Sequence, residues 1–182
     1  MPVKVLGDDG YGDDATIGAA IQQTASQGVQ IISMSLGGGG YNSYLDNSIS
    51  YAVDEGTTVF AASGNDNGGL SYPAAYDDCV AVGAMSPCNE RKSPSSCDGE
   101  NYWGSNYGSQ LDFLAPGVRI HTTTMNGGYT STFNGTSSAC PHAAGIAGLI
   151  KSESNNISAY DVRLIMQQSS DDIGGIGFDT QT

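Results

Sequence analysis

The chain has 182 residues, with 6 Lys and Arg against 19 Asp and Glu, a formal charge of −13. That balance excludes a nucleic-acid binder, which needs a basic footprint for phosphates, and adhesion to anionic membranes. The length suits a single domain, 1–182, and 26 glycines, about twice the usual ~7%, mark a turn-rich globular chain.

In chain order, the alternation over residues 2–6 predicts a strand. It lacks the long apolar core of a signal peptide, and no later run approaches the ~20 apolar residues of a membrane-spanning helix. Residues 7–14 predict a loop with solvated carboxylates at Asp8, Asp9, Asp13 and Asp14, a cation site being the alternative. Residues 16–27 carry Ile17, Ala20, Ile21 and Thr24 at helical spacing, with Asp14 as the expected cap and Gly28 as the stop. Residues 29–36 predict a buried strand running into four glycines, 37–40. Leu45, Ile49, Ala52 and Val53 predict a second helix closed by Gly56. Buried strands follow at 57–62, 79–84 and 111–114, the last stopped by Pro116-Gly117.

Residues 86–107 predict a long surface insertion. Within it, Cys88 and Cys97 either form a local bridge or stay free with Cys79 and Cys140, and no CxxC pair suggests a zinc ribbon. Residues 120–124 and 129–133 flank Asn126-Gly127-Gly128, a hairpin signal. Residues 137–151 predict a buried helix, and Ser158 with Asp161 predicts the start of the last one. Strands alternating with helices give an α/β fold of three layers, a mostly parallel sheet with helices on both faces.

In such sheets ligands bind beyond the carboxyl ends of the strands. The glycine run 37–40 fails the GxGxxG template at Asn42, and no GxxxxGK[ST] occurs, so a tight bend is the better reading than a phosphate loop. Ser137 stands where a turn enters a helix, after Gly135. There its N–H faces outward with a favourable dipole, the setting of a nucleophile beside an oxyanion donor. Local sequence alone favours a capping role for it. A GxSxG-type elbow fails because no His follows His142.

Five ordered motifs change that balance. They are Ile32-Ser33-Met34-Ser35-Leu36-Gly37-Gly38; Ala61-Ala62-Ser63-Gly64-Asn65; Tyr72-Pro73-Ala74-Ala75-Tyr76 followed by Val80-Ala81-Val82-Gly83-Ala84; Ser105-Asn106-Tyr107-Gly108 with Asp112-Phe113-Leu114-Ala115-Pro116-Gly117; and Gly135-Thr136-Ser137-Ser138-Ala139-Cys140-Pro141-His142. Together they resemble the subtilisin-like serine proteases (subtilases) over residues 2–168, with Cys140 where Ser is usual. The resemblance implies Ser137 as nucleophile and Asn65 with the Ser137 N–H as oxyanion hole. Ser35, Leu36 and Gly37 would pair with an extended peptide substrate, and Ala62, Ser63 and Gly64 would wall the specificity pocket. No cofactor is required. A calcium site is implied at the carbonyls of Ala74, Tyr76 and Cys79, with Asp112 nearby. The parent protein would be secreted.

The resemblance also implies what this chain lacks. The family's catalytic Asp strand and His helix lie in an amino-terminal third with no counterpart here, so the domain reads as amino-terminally truncated. His142 should face away from Ser137 as a packed helix histidine, and His121 is a weak substitute base. In the family the Asp strand separates the counterparts of residues 2–6 and 29–36. Its loss leaves a gap, a new pairing of residues 2–6 with 29–36, or an edge covered by a second chain. The expected function is a serine hydrolase of the endopeptidase type, with peptide or small-ester substrates and weak esterase activity or none from this chain alone. The alternative is a non-catalytic peptide-binding remnant. A homodimer or a complementing amino-terminal fragment would be its partner. Asn134-Gly135-Thr136 is a glycosylation sequon, read as a bare Asn beside the cleft.

Overall fold

The computed structural model describes residues 1–125, 127–154 and 156–173. Asn126 of the hairpin turn lies outside them. Four strands, β1 (Ile31–Met34), β2 (Thr58–Ala62), β3 (Val80–Met85) and β4 (Leu111–Pro116), form one parallel sheet in that order. A separate antiparallel pair, β5 (Ile120–Thr123) and β6 (Tyr129–Phe133), makes the expected hairpin. The helices are α1 (Asp14–Ser26), α2 (Ser43–Asp54), α3 (Thr136–Glu153) and α4 (Ala159–Ser169).

Alternation along the strands sorts the core into two halves. Phe60, Ala62, Val80, Val82 and Ala84 face α3 and α4, meeting Ala139, Ala143, Ala147 and Val162. Val59, Ala61 and Ala81 face α1 and α2, meeting Ile17, Ile21, Leu45 and Ile49. The sheet is thus covered on both faces, as the unbroken apolar runs of β2 and β3 require. The short side chains of α3 let it lie close against the sheet. Gly83 admits no side chain, because a Cβ there would stand 2.7 Å from Leu114 Cδ2 and 2.8 Å from Ser105 Oγ.

Three expectations are corrected. The cap of α1 is Asp13, not Asp14: Asp13 is extended, and its carboxylate accepts the Thr16 N–H at 2.9 Å. Asp14 becomes the first helical residue, where its charge still favours the helix dipole. By contrast Ser158 caps α4 as read, accepting the Asp161 N–H at 3.0 Å.

Residues 2–6 do not form a strand. Among the described residues no backbone hydrogen bond ties them to β1. A cavity of about 530 Å³ lies between them and Ile31–Leu36, walled by apolar side chains of both segments and of α1. Val5 and Leu6 instead pack against the α1/α2 half of the core. The alternation is not realised in burial either, since Val3 is exposed while the adjacent Val5 and Leu6 both pack on the core, and β1 keeps one open backbone edge. The expected pairing with residues 29–36 within the chain is therefore overturned.

Residues 86–107, expected as a surface insertion or loop, enclose a buried interior. Cys88 and Cys97 are joined by a disulfide, which settles the open pairing. Inside it Lys92 and Asp98 are both fully buried and 3.2 Å apart. The Lys92 ammonium also donates to the carbonyls of Ser93 and Glu100 and lies 5.2 Å from the centre of the Trp103 ring. Trp103 joins the α3 side of the core. The loop's polarity conceals a small folded unit around one buried cation.

Candidate active site

At the carboxyl ends of β1 and β2 a cleft of about 720 Å³ opens. Ser35, Leu36, Gly37, Ala62, Gly64, Asn65, Thr136 and Ser137 line it, with Tyr11 and Tyr72 at its sides. Residues more than 70 positions apart in sequence meet there because strand ends and the start of α3 converge. Of the expected pocket wall, Ser63 is absent from the cleft. Its side chain is buried and turned toward Ser105 Oγ and the Asn106 carbonyl, at 3.5 and 3.4 Å.

Ser137 is the second residue of α3. The first N–H groups of a helix have no acceptor within it, so the Ser137 N–H is available to a ligand. Gly135 reaches this turn with φ of +126°, in the left-handed region that favours glycine. The Ser137 carbonyl is released by a different device. Pro141, four residues on, has no N–H to give it. Ser35 Oγ takes that place, donating to the Ser137 carbonyl at 2.7 Å, and so ties the end of β1 to the turn.

Asn65 is oriented by the same turn. Its Oδ1 accepts from the Thr136 N–H at 2.9 Å and from Thr136 Oγ1 at 3.2 Å. Thr136 Oγ1 in turn accepts from the Gly64 N–H at 3.2 Å. This fixes which end of the amide is which, and Nδ2 is left with no acceptor among the described residues. The loop behind it is braced by buried Asn106, whose Oδ1 accepts from the N–H groups of Asp66 (2.8 Å) and Gly68 (3.1 Å). Gly64 has φ of +106°, and a Cβ on it would stand 2.3 Å from Asn106 Nδ2. The sequence reading held Asn106 only as part of a motif and missed both it and Thr136 as supports. A buried Asn in a short motif was the available signal.

Asp14 and Asp66 also line the cleft, whereas the two histidines are engaged elsewhere. Ser137 Oγ has no hydrogen-bond partner among the described residues. His142 is exposed rather than packed, and its Nδ1 faces the Ser138 carbonyl at 2.7 Å. His121 is exposed on β5, pairs with Ser131 Oγ at 2.9 Å and stacks on Tyr129. Burial pushes the thiols of Cys79 and Cys140 up, so neither is a thiolate nucleophile at neutral pH.

The residues expected to hold calcium do not fit it. Asp112, the one charged member, accepts Arg163 Nε at 2.6 Å and the Ala81 N–H at 2.8 Å, while Arg163 Nη1 reaches the Asp77 carbonyl at 2.9 Å. A guanidinium already supplies the positive charge there. Ala74, Tyr76 and Cys79 are buried, and the Tyr76 carbonyl accepts the Cys79 N–H at 3.0 Å. Among the described residues no group of three or more His, Cys, Asp or Glu is placed to hold a metal ion.

A serine hydroxyl thus stands at a helix start, beside an oriented amide donor and an open cleft. The profile of the Subtilase family matches residues 1–181. The chain belongs to the subtilase family. Thermitase from Thermoactinomyces vulgaris is 38% identical over 178 residues, covering 97% of this chain and 59% of thermitase. Alkaline elastase YaB from Bacillus sp. (strain YaB) is 36% identical over 173 residues, covering 94% of this chain and 43% of that protein. Among solved structures, sphericase superposes with a TM-score of 0.85 at 30% identity, over 98% of this chain and 64% of sphericase. The fold is therefore subtilisin-like. The chain spans only 43% and 59% of the length of these two curated relatives. Among the described residues no helix is long and apolar enough to cross a membrane.

Proposed function

We propose that this subtilase chain carries the nucleophile half of a peptidase site, with Ser137 as nucleophile and Asn65 Nδ2 and the Ser137 N–H as oxyanion donors. The observation that carries the reading is the Asn65–Thr136 clamp. It aims an unpartnered amide N–H₂ into the cleft beside the helix start that bears Ser137. Peptide substrate would lie extended along Ser35, Leu36 and Gly37, its side chain against Ala62 and Gly64. No histidine of the chain bonds Ser137, so the general base comes from outside the chain. The cavity beside β1, with its open backbone edge, supports an added strand from an amino-terminal complementing segment. A second copy is the other occupant the edge would accept.

By itself the chain then hydrolyses activated esters weakly and peptide bonds hardly at all. An oxyanion hole and binding alone retain ~10³–10⁴ over water. The disulfide supports an oxidising, extracellular setting for the parent protein. The reading of a non-catalytic peptide binder is favoured by one observation: among the described residues no base is hydrogen-bonded to Ser137 Oγ.

Intact-mass spectrometry after fluorophosphonate treatment, beside Ser137→Ala, decides between the two. A single adduct lost in the Ala variant supports the peptidase reading. No adduct in a protein with a cooperative melt moves the binding reading to first place. Sedimentation of the same sample separates a dimer from a monomer awaiting its complement.

A further inference from the structure

Residues 86–107 reach the turn before Ser137 through the Glu100 carboxylate and the Tyr102 hydroxyl. Glu100 Oε2 accepts from Asn134 Nδ2 at 2.6 Å and from Trp103 Nε1 at 3.0 Å, and Oε1 accepts from Arg119 Nε at 3.3 Å. Asn134 immediately precedes Gly135, the left-handed pivot of the turn. Its amide is held at both ends, because Oδ1 accepts the Arg119 N–H at 2.7 Å while Nδ2 also meets Tyr102 Oη at 3.2 Å.

Glu100 is itself held by the unit behind it. Its N–H donates to Asp98 Oδ1 at 2.7 Å, its carbonyl accepts from the buried Lys92, and Arg119 Nη2 donates to the Asp98 carbonyl at 2.8 Å. The Cys88–Cys97 bridge closes the same loop. A chain of contacts thus runs from a cross-linked, buried ion pair to the residue before the pivot. A glycine pivot swings freely unless its neighbours are held. Hydrogen bonds to a charged group are stronger than neutral ones, and Glu100 gathers three such donors.

We propose that Glu100 is a positioning residue for Ser137: through Asn134 it anchors the turn that places the nucleophile against Asn65. The hydrogen bonds of Trp103 and Asn134, with Arg119 alongside, hold the Glu100 carboxyl below its usual range, so the anchor stays charged at neutral pH. The link to catalysis rests on the reading of Ser137 as nucleophile, whereas the anchoring of the turn does not.

The test is a charge conflict and its repair. Asn134→Asp sets a carboxylate against Glu100, and Glu100→Gln in the double variant restores a donor–acceptor pair of nearly the same shape. Amide hydrogen exchange of residues 134–138 is read by mass spectrometry, with thermal melts confirming folding and fluorophosphonate labelling run in parallel. Exchange in this segment should rise roughly 10- to 100-fold in Asn134→Asp, the worth of a hydrogen bond to a charged group. It should return to within about threefold of the parent in the double variant, with the labelling rate following in the same order. Unchanged exchange in the single variant, or no recovery in the double, overturns the proposal. A parent chain that takes up no label refutes the nucleophile reading instead, and the exchange result still decides the anchor.

Discussion

Replacing Thr136 by Val keeps the shape of a fully buried side chain and removes one hydroxyl. That hydroxyl sits between two groups, accepting from the Gly64 N–H at 3.2 Å and donating to Asn65 Oδ1 at 3.2 Å. After the change Asn65 Oδ1 keeps the Thr136 N–H, so it is not orphaned. The Gly64 N–H loses this acceptor, and because it is half-buried beside the open cleft the loss is about the net worth of one hydrogen bond, ~0.5–1.5 kcal/mol. For a domain of this size each kcal/mol moves the melting temperature by ~2–4 °C, so a fall of roughly 1–6 °C is expected. The functional effect has a separate origin. With one of its two Thr136 contacts gone, Asn65 holds Nδ2 less firmly, and losing one oxyanion donor altogether lowers turnover ~10²–10³-fold. Activated-ester hydrolysis should therefore fall by less than that ceiling, while the melt moves modestly. Calorimetry and p-nitrophenyl ester turnover on the same sample measure both. A variant with an unchanged melting temperature and unchanged ester turnover would refute the clamp as the element that orients Asn65.

Lys92→Met should be the costlier change. It leaves the Asp98 carboxylate fully buried and unpaired, with Oδ2 already lacking a partner, and breaking such a pair costs about 3–5 kcal/mol; urea unfolding of the oxidised protein measures it. Gly64→Ala forces a left-handed φ on a β-carbon aimed at Asn106 and Ser71, so a loss of at least ~1–2 kcal/mol with a disturbed Asn65 loop is expected, read by calorimetry and amide exchange. Acid titration followed by Trp103 fluorescence reports on Glu100. Its folded-state pKa is depressed, so its stabilising contribution is complete above the unfolded carboxylate's value and disappears as pH falls through the lower folded value. The indole, which donates to Glu100 Oε2, should change its emission in that acid window and lose the change in Glu100→Gln.

The strands β2 and β3 were plain in the sequence because a central parallel strand is buried on both faces and leaves an unbroken apolar run. The same logic misjudged residues 2–6. There the alternation matches neither a ladder nor the burial, because Val3 is exposed while the adjacent Val5 and Leu6 both pack on the core. Ser137 could be placed at a helix start from its neighbours alone, but the support for it could not. Thr136 meets Asn65 across 71 positions, and no local pattern encodes that contact. Ser63 was read as pocket wall because its motif borders the cleft, yet a strand end alternates its side chains, and Ser63 falls on the inner side. Lys92 was hidden for a similar reason. A lysine in a polar stretch reads as solvated until a disulfide and an aspartate close around it.

The parts of the site divide along the sheet in a way that explains how the chain holds a formed cleft beside an unfinished edge. Asn65 follows β2, Ser137 lies in the first turn of α3, and α3 packs on β1, β2, β3 and β4, so the proposed oxyanion donors are carried by the central strands and the helix over them. The open backbone edge and the adjoining cavity belong to β1 and residues 2–6, at the opposite border of the sheet from β4. Ser35, at the end of β1, reaches across by a hydrogen bond to the Ser137 carbonyl, and Cys140 of α3 meets Ser33 Oγ and the Met34 carbonyl of β1. Filling the edge with a strand would therefore complete the ladder of β1 without repacking the core that positions Asn65. It would act on the turn of Ser137 through Ser35 and through the contacts of β1 with Cys140. On the proposed roles of Ser137 and Asn65, a base delivered on such a strand would meet both residues already positioned, so binding of that strand and labelling of Ser137 should be separable in experiment.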